Sequence, residues 1–281
     1  MTDIREYLAR KPLLFDGGMG TYYKAAPGAD CEMANLTDPE GVKKVHAEYL
    51  AAGAQAIKTN TFGLPRMAAA QMPGWEELAE AGWKLACDAA AEKGAAVFAD
   101  LGPAPDTEAV LPDGYTREGL LFRDLLRRME QSGVVDAVGL NCVSAPGAMK
   151  KLVQSLGETL LPLSVMPNAG YPVVTRARVL YQGKPAYFAR EMGQIAAAGV
   201  RILGGCCGTT PAHIAALRAE LDALPQQTEA APAAKLSTGT APAVEKDDTF
   251  LRKLNAGEKV IAIELDSPRV ADLSGYLDGA R

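Results

Sequence analysis

At 281 residues, with 48% hydrophobic and 22% charged positions, the chain has the make-up of a globular protein with room for one large core. Its net charge of -5 and the lack of any Lys/Arg-dense segment exclude a nucleic-acid or anionic-membrane surface and leave small molecules as expected partners. No stretch approaches the roughly 18 consecutive apolar residues of a membrane span, and the five cysteines, an odd count with no secretory signal, argue for reduced thiols in a cytoplasmic protein.

Six short apolar runs, KPLLF, AQAIKTN, AAVFAD, VVDAVGLN, LPLSVMP and GVRILGG, each precede a loop and then a helix-like segment. This is the rhythm of βα units, and six of them fit between about residue 11 and residue 224. Helix starts are marked at Asp38-Pro39 and Thr210-Pro211, where a capping side chain precedes proline at the first helical position. Val42, Val45, Tyr49 and Leu50 mark one buried face, with Gly53 as the C-terminal cap. His46 lies near that stripe and reads as a core histidine, whereas His213, in the first turn of its helix, is expected to be solvated. Cys87 reads as a small hydrophobe within a helix and Cys31 falls in a connecting loop.

Past residue 224 the character changes. Residues 225–248 are rich in Pro, Ala, Thr and charge with no apolar period, which reads as a linker. Residues 249–281 resume a helix, a turn and a strand, VIAIEL, as the start of a second domain. The expected organisation is therefore a main domain over 1–224, a linker over 225–248 and a partial domain over 249–281.

In parallel α/β folds the loops after the strands converge on one face and bind ligands there. Those loops hold Asp16-Gly17-Gly18, Thr59-Asn60-Thr61, Asn141-Cys142, Pro167-Asn168-Ala169-Gly170 and Gly204-Gly205-Cys206-Cys207-Gly208. Adjacent side chains on a regular strand point to opposite faces, so Cys206 and Cys207 can meet one ion only where the backbone leaves strand geometry, which the glycines permit. With Cys142 they form a set of three thiolates, the donor set of a catalytic zinc with one open position. The same glycine-rich turn before a helix would also suit a phosphate, but a phosphate needs no cysteines.

DGGMGT, NLTDPEGVKKVHAEYLAAGAQAIKTNTFG, GLNC, PNAG and GVRILGGCCGTTPAHI resemble the zinc-dependent homocysteine S-methyltransferase family, in particular proteins that fuse this domain to a methylenetetrahydrofolate reductase, whose first strand VIAIELDSPR resembles. The resemblance implies a (β/α)8 barrel, a TIM-barrel-derived α/β domain here shortened to about six βα units. It implies zinc on Cys142, Cys206 and Cys207, and homocysteine held by Asp16, Gly17, Gly18 and Asn60, with Asp16 and Asn168 also in catalytic roles. About two units are missing between the third strand and the next, and with them a family glutamate that holds the substrate's amine. Glu32 and Asp100 are the acidic residues placed to replace it. The implied reaction is methyl transfer to homocysteine, giving methionine. The donor is folate-derived, delivered directly or through a cobalamin protein, or is a sulfonium or betaine-like compound. The competing reading is a zinc-binding module that serves in assembly rather than catalysis. Six units leave two strand edges open, for which packing of a second copy into a homodimer is the expected remedy.

Overall fold

In a computed structural model of the chain, which describes residues 4–23, 29–103, 111, 113–116, 119–157, 159–174 and 179–224, all six apolar runs are strands. The elements run α1 (Ile4–Arg10), β1 (Leu13–Leu14), α2 (Met19–Tyr23), a 3-10 turn (Cys31–Met33), α3 (Ala34–Thr37), α4 (Pro39–Ala51) and β2 (Ala56–Lys58). They continue with α5 (Leu64–Ala69), α6 (Trp75–Ala91), β3 (Ala96–Phe98), α7 (Phe122–Ser132), β4 (Val138–Asn141), α8 (Pro146–Leu156) and β5 (Leu163–Met166). A hairpin, β6 (Pro172–Val174) and β7 (Val179–Tyr181), precedes α9 (Pro185–Ala197), β8 (Ile202–Leu203) and α10 (Pro211–Ala223). The expected linker and second domain, 225–281, lie outside the described residues.

Parallel pairing gives the order β1-β8-β5-β4, and a parallel bridge between Phe15 and Ala56 joins β1 to the β2-β3 pair. The result is a curved sheet in the order β3-β2-β1-β8-β5-β4. Among the described residues no pairing joins β3 to β4, so the arc is open where the sequence lacks two units.

Strand alternation divides the core in two. Leu14, Ile57, Leu140, Val165 and Leu203 face outward onto the helices, meeting Tyr49, Met149, Phe188, Met192, Ile214 and Leu217. Leu13, Phe15, Ala56, Ala96 and Met166 face inward, with Leu8 of α1 packed among them. At roughly 1.5–3 kcal/mol per buried large aliphatic or aromatic side chain, these two layers are the main favourable term in folding.

Local signals explain the helices that carry the outer layer. The Asp38 side chain accepts from Gly41 N at 3.1 Å and Pro39 opens α4. That helix stops at Gly53, whose φ of +97° lets Gly53 N reach Leu50 O and Ala54 N reach Tyr49 O. The structure corrects the reading of His213: it is buried, not solvated. Thr210 N donates to its Nδ1 at 3.2 Å, completing a capping box for α10, which leaves Nε2 to donate to Gly183 O at 3.0 Å. His46 is fully buried in the core as expected. No helix among the described residues is long and apolar enough to cross a membrane.

Candidate metal centre

The three cysteines come from two strands that are not neighbours in sequence. Cys142 follows β4 directly, at a φ of +59° that only a strongly held non-glycine residue adopts, and its N–H donates to Met166 O at 3.0 Å. Cys206 and Cys207 follow β8 after Gly204 and Gly205. Of the glycines around the pair only Gly208 has a positive φ, +77°. Gly205 serves close approach instead, since a Cβ there would lie 2.5 Å from Thr209 Oγ1. The backbone is further turned by Cys206 N donating to Pro167 O at 2.8 Å and Ala169 N donating to Cys207 O at 2.9 Å. The turn after β8 is therefore stitched to the turn after β5.

Cys207 Sγ lies 3.6 Å from Cys142 Sγ and 4.0 Å from Cys206 Sγ, and all three sulfurs fall within 4.8 Å of one another. Zinc–sulfur bonds of about 2.3 Å in a tetrahedron set sulfurs roughly 3.8 Å apart, so the triangle fits zinc, with the fourth corner open. Charge is unevenly shared in the bare thiols. Hydrogen bonds from Cys142 and Cys206 pull the Cys207 thiol well below its ordinary range, while those that Cys206 makes to Cys142 and Cys207, together with burial, push Cys206 well above it. A cation at the centre replaces this contest, because metal ligation takes all three as thiolates.

Asn168 is buried against the triangle. Its Oδ1 accepts from Cys142 Sγ and from Cys207 N, both at 3.1 Å, and its Nδ2 donates to Cys142 O at 3.2 Å, so one amide fixes two of the three ligands. The Asp16-Gly17-Gly18 loop packs directly on Cys206. A Cβ on Gly18 would come 2.5 Å from Cys206 O, Gly205 N donates to Asp16 O, and Thr209 Oγ1 accepts from Gly18 N while donating to Cys206 O at 2.6 Å. Gly17 is closed in by Thr209 and Tyr49.

The Asp16 carboxylate is held by Lys58: one oxygen meets Lys58 Nζ and the other accepts from Lys58 N. Lys58, at the end of β2, points inward beside Met166 Sδ and the Phe15 ring. The Asn60 side chain accepts from Cys31 Sγ and donates to Cys31 O and Asn35 Oδ1. Of the two candidates for the missing glutamate, Glu32 is buried and accepts from Gly63 N at 2.6 Å, while burial pushes the Asp100 carboxyl up to about 7.

Two residues of the centre escape sequence reasoning. Tyr181 ends β7 and its side chain hydrogen-bonds Cys207; a short hairpin inserted between β5 and α9 has no signal in the βα rhythm. Lys58 had a signal, a charge at the carboxyl end of a strand, where loops carry chemistry.

An open parallel α/β arc with three thiols gathered at the carboxyl ends of its strands defines a barrel-derived protein with a candidate thiolate metal site. The sequence model of homocysteine S-methyltransferase matches residues 13–121 and 109–221, and the chain belongs to that family. The two matched stretches meet between β3 and α7, where the sheet is open. The chain is 29% identical to a methionine synthase of Mycobacterium tuberculosis over 296 residues, covering 76% of this chain and 25% of that protein. Since 76% of 281 residues is about 214, roughly 80 aligned positions of the relative have no counterpart here. A homocysteine S-methyltransferase of Escherichia coli is 37% identical over 107 residues, covering 37% of this chain and 34% of that protein. The chain thus spans about a quarter to a third of the length of these relatives. The crystal structure of the homocysteine methyltransferase MmuM from Escherichia coli, in its metallated form, superposes with a TM-score of 0.63 at 23% identity, over 78% of this chain and 99% of that one. That likeness supports the barrel-type fold.

Proposed function

We propose that this chain transfers a methyl group to the thiol of homocysteine, giving methionine, with a zinc ion held by Cys142, Cys206 and Cys207. The observation that carries this reading is the sulfur triangle, with edges of 3.6 and 4.0 Å about Cys207, at the ligand-binding end of a homocysteine S-methyltransferase-family sheet. Zinc bound there supplies one thing, removal of the proton from a thiol that joins it, which turns a mostly protonated group into a thiolate at neutral pH.

The rest is done by the chain. Cys142, Cys206 and Cys207 place three negative charges around the centre, which keeps an added sulfur nucleophilic. Asn168 orients Cys142 and Cys207, and the Asp16-Gly17-Gly18 turn, packed on Cys206, offers the wall for the amino-acid end of the substrate. The homocysteine sulfur, its proton released to solvent, attacks the methyl carbon in line. A sulfur–carbon bond forms as the bond from carbon to the donor breaks, and the donor leaves with the bonding pair. The donor is a folate-derived methyl carrier, reached directly or through a cobalamin protein, or a sulfonium or betaine-like compound. Residues 1–224 form the catalytic domain, 225–248 a linker and 249–281 part of a reductase-like domain, and the open side of the sheet is closed by a second copy.

The test is zinc-loaded full-length chain incubated with homocysteine and each donor class in turn, with methionine as the readout and zinc-edge absorption before and after homocysteine. A fourth sulfur on zinc together with methionine from one donor is expected. A fourth sulfur without methionine from any donor overturns catalysis in favour of an assembly role, and no change at the zinc edge overturns homocysteine as the ligand.

A further inference from the structure

The β6–β7 hairpin is seated on the sulfur triangle by contacts at its base that leave no room for slack. A Cβ on Gly208 would lie 2.2 Å from Tyr181 Cβ, one on Gly183 would lie 1.8 Å from Ala169 O, and one on Gly170 would lie 2.7 Å from Gln182 O. These glycines let the end of the hairpin lie directly on the turns after β5 and β8. His213 adds a tie from outside, its Nε2 donating to Gly183 O at 3.0 Å, and its ring meets Phe188 edge-on with centroids 5.4 Å apart. Register pairs Pro172 with Tyr181, so Tyr181 is the last residue of the hairpin ladder and the one delivered to the cysteines. Its side chain hydrogen-bonds Cys207, the sulfur that already accepts from the other two thiols.

We propose that Tyr181 is a positioning residue of the metal centre, its phenol O–H donating to the Cys207 sulfur and drawing charge from that ligand. The inference rests on the reading of the three cysteines as a metal site. A phenol carries its proton at neutral pH, so it is the donor in this pair. Three thiolates crowd negative charge around one ion, and a fourth adds to it. A hydrogen bond that withdraws charge from Cys207 makes the ion a better acceptor for the incoming sulfur without removing a ligand. Outer partners of this kind change metal affinity or activity by about 10–100-fold when lost. The hairpin is thus a structural device of the site: the ends of β4 and β8 supply the three sulfurs, and the insertion after β5 supplies the group that tunes them.

The test compares full-length wild type, Tyr181→Phe and Tyr181→Ala. Tyr181→Phe keeps the ring against Gly208 and deletes only the donor. Each chain is loaded with cobalt(II) for its sulfur-to-metal charge-transfer band and with zinc for competition against a chelator, and urea midpoints are measured metal-free. The expected result for Tyr181→Phe is a shifted charge-transfer band and about tenfold weaker zinc binding, with an unchanged urea midpoint. A Tyr181→Phe chain whose band and zinc affinity match wild type overturns the proposal and leaves the ring as packing only, whatever Tyr181→Ala does. A wild-type chain that takes up neither metal overturns the reading of the site and this inference with it, which separates the two failures.

Discussion

Asp16 and Lys58 close on each other twice, through the Lys58 ammonium on one carboxylate oxygen and through the Lys58 backbone N–H on the other at 3.0 Å. The pair lies on the inner face of the sheet, where only 3% of the Asp16 side chain and 19% of the Lys58 side chain are exposed. The aspartate that the family resemblance assigns to the substrate thus already carries a resident cation. Breaking such a pair from one side leaves a buried charge without a partner. Lys58→Met is therefore expected to lower the unfolding free energy by about 3–5 kcal/mol, and adding Asp16→Asn to restore most of the loss. Urea unfolding of the three chains checks this; a Lys58→Met chain as stable as wild type would show that the pair carries no weight in the fold.

Zinc content is expected to fall with Cys142→Ser, Cys206→Ser or Cys207→Ser and to survive Cys87→Ser, since Cys87 sits on α6 away from the triangle. Metal analysis of the purified variants reads the result directly. Full occupancy in the Cys206→Ser, Cys207→Ser double variant would remove the centre from consideration.

His46 predicts an acid limit to stability. Among the described residues neither ring nitrogen has a hydrogen-bond partner, and burial lowers its pKa from 6.5 to about 4, against the pull of Asp16. The folded state therefore resists the proton that the unfolded chain accepts. The contribution is fully present above pH 6.5 and is lost as pH falls towards 4, at about 1.4 kcal/mol per pH unit or roughly 3 kcal/mol in all. Replacing the ring by an apolar side chain removes the titration without removing a hydrogen bond, so His46→Leu should flatten this limb of the stability–pH curve. Equal pH slopes for His46→Leu and wild type between pH 6 and 4.5 would contradict it.

All six βα strands were legible because each is a short apolar run bounded by loop residues, and the cysteine triangle because glycines beside two adjacent cysteines have few other uses. The turns were harder. Gly204, Gly205 and Gly208 read in sequence as supplying both positive φ and close approach, and the structure divides the two roles, with positive φ at Gly208 and close approach at Gly204 and Gly205. Asn60 lies in a loop that carries chemistry, but its amide is committed to Cys31 and Asn35, a pairing across about 30 residues that no local pattern announces. His213 looks solvated from its place in the first helical turn and is buried because the end of the hairpin folds over it. For Asn60 and His213 the deciding partner lies about 30 residues off in sequence, so propensity and period had nothing to read.

The open arc carries the last prediction. β3 and β4 present outward edges with no partner among the described residues, and an exposed parallel edge has N–H and C=O groups ready to pair. Gly139 is exposed in the middle of β4, so that edge lacks even a side chain to guard it. Two copies related by a two-fold axis would cover both edges with one self-complementary surface, the commonest closed arrangement of identical chains. The segment VIAIEL in 249–281, which the sequence reads as a strand, is the competing cover, and it can be removed. Sedimentation at micromolar concentration is expected to give a dimer for the full chain and for a chain shortened to 1–224, with zinc retained in both. A dimer that becomes a monomer on shortening would assign the contact to 249–281. Loss of zinc or of cooperative unfolding in the shortened chain would mean that this segment completes the sheet, and a monomer in both forms would leave the edges guarded within one chain and rule the dimer out.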